Sequence, residues 1–413
     1  MPSAVQKESI RQTSTMAALK SPSFRLYFAG QLVSVSGTWM QAIAQQVVIY
    51  DLTKSELALG LVACAQGIPA LLLTPFAGIV VERFPRRQIL VGTQSAMMLL
   101  AFIFAALQFT HTTQIWHIVL LSLGIGAANA LDAPARQVFV VEMVGRENLT
   151  SGIVLNSIVF NSARIVGPAL GGLTLKAFGP AWCFFLNGLS FVAVIISLIV
   201  MTVPRVAVPP GRMGFLKPML EGVQFARTHP AIRPLLLLSL MGSVFGLTFA
   251  VLIPSYADLV LHDTSGGTAA LSTAQGLGAV LAVVAVARIS NGSKGGKALT
   301  LFAFFGFLFM LLFALSNGYL LPAVFAAATG FCLIGQFTLT NTLLQMQVPD
   351  VFRGRVLSLY TLTFFGFSPF GGLAIGAVAQ RIGTVQAIAV WGIIGLLLTA
   401  VIMVYNRQLW GLR

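Results

Sequence analysis

Charged residues are few in this 413-residue chain: 9% are Asp, Glu, Lys or Arg, where a soluble domain carries about 25%. That shortage excludes a fold wetted on all sides, because the chain cannot cover itself with polar surface. Acids are the scarcer sign, 11 against 25 Lys and Arg. The resulting excess of +14 does not read as a nucleic-acid surface, since the basic residues stand singly or in threes between apolar runs. Cys64, Cys183 and Cys332 each lie inside an apolar run without CxxC spacing, which argues against a disulfide framework or a thiolate metal site. His111, His117, His229 and His262 are scattered, and neither HExxH nor GxSxG occurs, so an intramembrane enzyme is not expected. No metal and no cofactor are expected. Nor does an apolar stretch with a cleavage site follow Met1, and residues 1–24 read as a mobile cytoplasmic tail.

What the chain has is apolar length, with 57% hydrophobic residues and a mean hydropathy of +0.89. A membrane-crossing helix needs about 20 apolar residues. Twelve such runs can be placed: 25–50, 57–81, 88–109, 116–141, 150–176, 181–203, 235–260, 268–289, 298–316, 319–346, 355–380 and 384–405. A polar segment, 204–233, with Pro209-Pro210-Gly211 near its start, divides them six and six, and its Leu216–Thr228 stretch reads as an amphipathic helix on the membrane surface. The expected fold is an all-α membrane protein with twelve transmembrane helices, bundled as 25–203 and 234–406, with a tail at 407–413. Placing both termini in the cytoplasm puts 20 Lys and Arg inside and leaves only Lys54, Lys176 and Arg381 outside, a strong positive-inside bias. The halves also repeat: an offset of 204 positions pairs Gly126 with Gly330, Gly167 with Gly371, Gly172 with Gly376, Gly179 with Gly383 and Gly188 with Gly392. Repeated six-helix halves place a substrate site near the midplane between them.

Polar residues within spans are costly and therefore informative. Gln31, Ser34, Thr38, Gln41 and Gln45 fall on one face of the first span, either lining a hydrated cavity or hydrogen-bonding a neighbouring helix. Thr338, Asn341 and Gln345 make a shorter version in the tenth. The fourth span carries Asn129, Asp132 and Arg136 on one face, with Pro134 between the charges. Asp132 is the single acid well inside a span; it reads either as half of a fixed ion pair with Arg136 or as a protonation site coupled to transport. Arg164 is mid-span in the fifth, on a face with Ser157, Asn161 and Pro168, and needs a carboxylate, water or an anionic ligand. Asp132 is its expected partner. On another face lie Ala163, Gly167 and Gly171, followed by Gly172, small residues that permit close helix contact, while Pro168 bends the helix and frees a carbonyl. After the second span comes Gly78-Ile79-Val80-Val81-Glu82-Arg83-Phe84-Pro85-Arg86-Arg87. Its Glu82 is expected against the N-terminus of the eleventh span, beside Arg353 and Arg355, in one conformation and away from it in another.

The Gly78–Arg87 string resembles the signature loop of the major facilitator superfamily, with Glu82 at the usual Asp position and Pro85 where Gly is usual. Ala163 to Gly172 resembles the antiporter motif of that superfamily's exporters, with Gly167, Pro168, Gly171 and Gly172 matching. Gly37-Thr38-Trp39-Met40-Gln41 and Asp132-Ala133-Pro134-Ala135-Arg136-Gln137 look like the drug:proton antiporter group that includes the bacterial enterobactin exporter. The resemblance implies proton-driven export of small amphipathic molecules by alternating access, by a monomer in a bacterial inner membrane. Its partners would be a small-molecule substrate, protons and membrane lipids, with no nucleic acid; a dedicated siderophore, lipid or metabolite exporter is the alternative. One charge crossing 100 mV is worth about 2.3 kcal/mol, enough for a roughly fiftyfold gradient. Asn291 to Ala298 departs from a phosphate loop at its first Gly and at the magnesium-binding hydroxyl, and ATP is not expected.

Overall fold

The computed structural model describes residues 16–145, 147–201, 216–289 and 295–412, and every regular element among them is a helix. The first, α1 (Pro22–Thr53), starts where the Ser21 hydroxyl accepts the Phe24 N–H, with Pro22 at the first helical position. It ends at Lys54 in the left-handed conformation. Ser55 caps α2 (Glu56–Arg83) in the same way, accepting from Ala58. There follow α3 (Arg86–Phe109), α4 (Ile115–Val144), α5 (Leu149–Phe178), α6 (Pro180–Val200) and the short α7 (Leu216–Thr228). Next come α8 (Ile232–Leu261), α9 (Thr264–Ile289), α10 (Gly295–Leu315) and α11 (Leu320–Gln347). The last two are α12, in two stretches at Asp350–Thr361 and Ser368–Ile382, and α13 (Thr384–Tyr405). Among the described residues, 11 helices are long and apolar enough to cross a membrane. The helix α1 has the length, at 32 residues, but Gln31, Gln41, Gln45 and Gln46 lower its apolarity.

The tail is not wholly mobile as expected. Ala17–Lys20 form a 3-10 turn, Ala18 is buried, and its N–H donates to Ser151 Oγ on α5 at 3.0 Å. The last residues fold too: Arg407–Gly411 make a turn that buries Leu409, and the Gly296 N–H donates to the Leu412 carbonyl at 3.1 Å. Lys7, Arg11, Arg146, Pro209-Pro210-Gly211, Lys294 and Arg413 lie outside the described residues.

Helix contacts follow the repeat. In the first part α1 packs on α5 and α6, α2 on α4, and α3 on α4 and α6; in the second, α9 packs on α11, and α10 on α11 and α13. The most extensive contacts between the parts are α2 with α12 and α5 with α9, with smaller ones of α1 on α8 and α9 and of α2 on α8. All five glycine pairs occupy matching places. A Cβ on Gly126 would meet the Gln66 carbonyl oxygen at 2.1 Å, and one on Gly330 the Gln275 carbonyl oxygen at 2.2 Å. Gly167 abuts Trp39 of α1 and Gly371 abuts Val244 of α8; Gly172 meets α9 at Ala269 and Gly376 meets α2 at Glu56. Gly188 and Gly392 receive Phe102 and Leu311. Gly179 and Gly383, with φ of +84° and +93°, turn one helix into the next, a conformation that glycine adopts without strain. In lipid, helices associate through such close approaches rather than through a hydrophobic drive.

The halves differ in one respect. Within α8, Gly242–Gly246 is wound as a π-turn followed by a 3-10 stretch, Leu247–Leu252, and a second π-turn, Ala257–Leu261; within α12, Leu362–Gly366 is a π-turn as well. The first turn of α8 touches that of α12: the Ser243 hydroxyl donates to the Phe364 carbonyl at 2.8 Å, and the Ser239 and Thr363 hydroxyls are 3.0 Å apart. The α7 helix, expected on the surface from its pattern, lies on α12, where Phe225 stacks on Phe352 at 4.2 Å and Glu221 pairs with Arg355 at 2.6 Å.

Candidate functional site

The two halves meet closely at the Lys54 end and part toward the arginine end. Along α2 and α12, close approaches run from Glu56 against Gly376, through Gly60 against Gly372 and Gly67 against Pro369, to Leu71 against Gly366. That is 15 residues of α2, about 22 Å of helix. Beyond it, a Cβ added at Gly78 or Gly354 would have nothing within 4 Å.

A carboxylate missed by the span-by-span reading lies in this seam. Glu56 is 9% exposed, and its Oε1 accepts from Ser255 of α8 at 2.7 Å and from Thr384 of α13 at 3.0 Å, the two hydroxyls being 2.5 Å apart. Gln380 of α12 accepts from the Ser55 hydroxyl at 2.7 Å. Lys54 links Asp51 at 3.2 Å and Asp258 of α8 at 3.5 Å. Partial burial opposes the Lys54 charge, but Asp51 and then Asp258 outweigh it and hold the ammonium above its ordinary pKa. Glu56 was legible as a helix-start acid in the sequence; its partners, 199 and 328 residues away, were not.

Alongside the seam is a cavity of about 110 Å³ walled by Thr38, Gln41, Gln45 and Gln46 of α1, by Leu59, Val62, Ala63 and Gln66 of α2 and by Val251 of α8. Three of the five polar residues singled out on the first span therefore wall it, and Gln46 and Gln66 join them. Gln31 does not: its Oε1 accepts from Arg136 at 3.0 Å, and it belongs to a different cluster. Ser34 is buried outside the cavity. The stripe also does the other work considered for it, since Asn187 of α6 donates to Gln41 at 2.6 Å and Gln45 donates to Ser122 of α4 at 2.8 Å. On α11, Thr338 donates to its own helix at Ile334, and Gln345 to Asn341 at 3.1 Å; neither they nor Asn129 nor Asn161 wall this cavity. Asn161 donates to the Ser157 carbonyl of its own helix at 2.8 Å.

Asp132 is fully buried and saturated with donors. Arg136 donates to Oδ2, while Thr93 at 2.9 Å and Gln94 at 2.8 Å, both on α3, donate to Oδ1. Phe160 of α5 lies 5.3 Å from the Arg136 guanidinium. The cluster braces α1, α3, α4 and α5 within one half.

Arg164 does not join it, contrary to the pairing expected with Asp132. Its guanidinium stacks on Trp39 of α1, 5.4 Å from the ring centre, and among the described residues it makes no ion pair. The geometry follows from Pro168. Having no N–H, Pro168 leaves the carbonyl four residues back, that of Arg164, out of the helix ladder. Gly276 of α9 rests on that carbonyl, where a Cβ would come within 2.5 Å. Gly167 and Gly171 on one side of Arg164 contact α1, and Gly172 on the other contacts α9, so Arg164 points between α1 and α9, where the halves meet.

The profile of a protein family described as "transmembrane secretion effector" matches residues 13–410. The chain belongs to this family, within the major facilitator superfamily. Two relatives align over nearly the whole chain. A staphyloferrin A transporter of Staphylococcus aureus is 21% identical over 388 residues, covering 93% of this chain and 96% of the relative. An enterobactin exporter of Escherichia coli is 25% identical over 395 residues, covering 94% and 93%. The nucleoside transporter NupG, as its D323A mutant, shares the fold with a TM-score of 0.74 at 12% identity, over 94% of this chain and 99% of that one. A bacterial homologue of the iron transporter ferroportin superposes with a TM-score of 0.69 at 15% identity, over 95% and 99%. These are proteins of transport, and this member of the superfamily is likewise a multi-pass membrane protein.

In the superfamily's signature loop, this conformation has Glu82 away from the start of α12, one of the two positions expected for it. Glu82 and Arg83 are exposed, and Glu82 has no ion pair among the described residues. Arg355 is taken by Glu221. Two arginines of the loop bind within their own half: Arg86 pairs with Glu142 of α4 at 3.5 Å, and Arg87 donates to the Ile199 carbonyl of α6.

Proposed function

We propose that the protein exports small amphipathic molecules from the cytoplasm of a bacterium by alternating access, as a twelve-span monomer of the inner membrane with both termini inside. The observation that carries this reading is the uneven contact between two repeated halves, with a polar-walled cavity beside it. The halves are close from Glu56 to Leu71 of α2 and leave a gap about Gly78 and Gly354 at the arginine end, and the cavity, walled by the first half and by Val251 of the second, lies alongside the close stretch. Under the positive-inside bias the gap faces the cytoplasm, the side from which an exporter loads. Here α1 counts as the twelfth span: its glutamines face the cavity and helices α4 and α6 rather than lipid. The bundles are 25–203 and 234–406, with 204–233 as the cytoplasmic connection.

Energy would come from proton antiport. Asp132 is fixed by three donors inside one half, whereas Glu56 joins the halves, accepting from hydroxyls of α8 and α13 across the seam. A second reading, a dedicated siderophore exporter, draws on the two relatives named for an enterobactin exporter and a staphyloferrin A transporter. Reconstitution into proteoliposomes with fluorescent drugs and siderophores under an imposed pH gradient separates them. Gradient-driven movement of several unrelated dyes favours the broad exporter, movement of siderophores alone favours the second reading, and movement of nothing beyond empty liposomes removes both.

A further inference from the structure

We propose that Arg164 and Trp39 form a subsite for an anionic oxygen group borne on an apolar, aromatic body, so that the molecules carried are amphipathic acids. The inference rests on the export reading above and names its substrate class. Arg164 lies at the middle of the 30-residue α5, about 22 Å from either end, too deep for its head to reach either water layer. A guanidinium at that depth requires compensation. Among the described residues the protein supplies the Trp39 ring and no carboxylate. Of the described carboxylates, the three least exposed are held elsewhere, Glu56 by Ser255 and Thr384, Asp132 by Arg136 and Glu142 by Arg86. Glu221, on α7, is held by Arg355, and the remaining ones lie at or near helix ends or in the turns between helices. Arg136, the other arginine of the membrane interior, shows what satisfaction looks like here, with a carboxylate, a glutamine and an aromatic face around it.

What surrounds Arg164 is shaped for a guest rather than a structural partner. The Trp39 ring centre lies 5.4 Å from the guanidinium carbon, and no carboxylate among the described residues takes the N–H donors, the fork that matches two oxygens of one group. Gly276 stands where any side chain would press on the arginine stem, a Cβ coming within 3.2 Å of Cγ. Neither Trp39 nor Arg164 lines the amide-walled cavity, but both side chains are half-buried rather than sealed, so a molecule whose acid rests on Arg164 has its body beside the Trp39 ring. The site lies on the α5–α9 crossing between the halves, so its occupant touches both.

The test uses the full chain in nanodiscs, with 1-naphthoate and pyrene-1-carboxylate each compared with its neutral amide, against empty nanodiscs. The wild type is expected to bind each acid at least about tenfold more tightly than the amide, equivalent to about 1.4 kcal/mol. Arg164→Gln should bring the ratio to about one while leaving amide affinity unchanged, and Arg164→Lys should keep only part of the preference. A ratio near one in the wild type, which needs no variant, overturns the inference, as does an acid preference that survives in Arg164→Gln. Proteoliposome efflux separates this failure from that of the export reading. Gradient-driven movement of amides without acids removes the subsite and leaves export standing, whereas acid-selective binding without movement of any probe supports the subsite and counts against export.

Discussion

Replacing Gly376 by alanine tests whether the seam between α2 and α12 is a moving contact. The new Cβ would lie 2.5 Å from the Glu56 carbonyl oxygen and 3.3 Å from the Gly60 Cα. Both are main-chain atoms in regular helix, so no side chain can turn aside, and the helices must part by about 1 Å to restore van der Waals contact. Overpacking of this kind costs about 1–3 kcal/mol. If the halves separate at the Lys54 end in another conformation, that cost falls on the closed state alone and shifts the equilibrium toward opening by about 5- to 150-fold. Spin labels at His111→Cys and Asn317→Cys, one on each half beyond α3 and α10, read the change as a longer interlabel distance by pulsed electron resonance. Gly126→Ala is the control, since its Cβ would strike the Gln66 carbonyl at 2.1 Å inside one half; it should lower the melting temperature without moving the labels. If Gly376→Ala lowers the melting temperature likewise and leaves the distance unchanged, the α2–α12 contact is fixed packing, and the reasoning fails.

Asp132→Asn leaves Arg136 without its carboxylate in a buried place and should cost about 3–5 kcal/mol in a denaturation series; a variant as stable as the wild type would refute the brace. Glu56→Ala leaves the Ser255 and Thr384 hydroxyls only each other, stranding one buried O–H at about 1–3 kcal/mol, and should open the Lys54 end in the same label experiment, while Glu56→Gln keeps an acceptor oxygen and should leave it closed; identical distances in both would place the closure elsewhere. Glu221→Ala removes a half-exposed pair worth at most about 1 kcal/mol, and faster amide exchange should be confined to α7; unchanged exchange would mean that the Phe225–Phe352 stack holds the helix alone. Because the pKa of Lys54 is raised above its ordinary value of 10.5, its contribution to closure is complete below that value and is lost as pH rises through the raised one. Widening of the label distance already at pH 8 would assign the change to another group.

Helix positions were legible because a spanning run announces itself by length, and the glycine repeat was legible because close contacts between helices tolerate little else. Partnerships across the halves were not. Glu56 reads in sequence as an acid at a helix start, and only folding brings Ser255 and Thr384 to it. Arg164 and Asp132 lie on helices adjacent in the chain, which suggested a pair. Side-chain direction decided otherwise: Asp132 faces α3 at Thr93 and Gln94, while Arg164 faces α1 and α9. The α1 stripe was right as a polar face but served two purposes, because a helix face over several turns meets different neighbours at different depths. Gln31 meets Arg136, and Gln45 meets Ser122 and the cavity.

The wide turns in α8 and α12 give the second half a mechanical character that the first half, among its described residues, lacks. A π-turn stores one residue beyond the α-helical count, and releasing or relocating that residue lengthens a helix by about 1.5 Å and rotates all that follows by about 100° without breaking the chain. The turns at Gly242–Gly246 and Leu362–Gly366 are bound to each other through Ser243 and Phe364, so drawing on one of these reserves disturbs the other. Bending force applied to either helix would therefore be absorbed as a joint change of pitch at one level of the membrane, making one half a spring and the other its anvil.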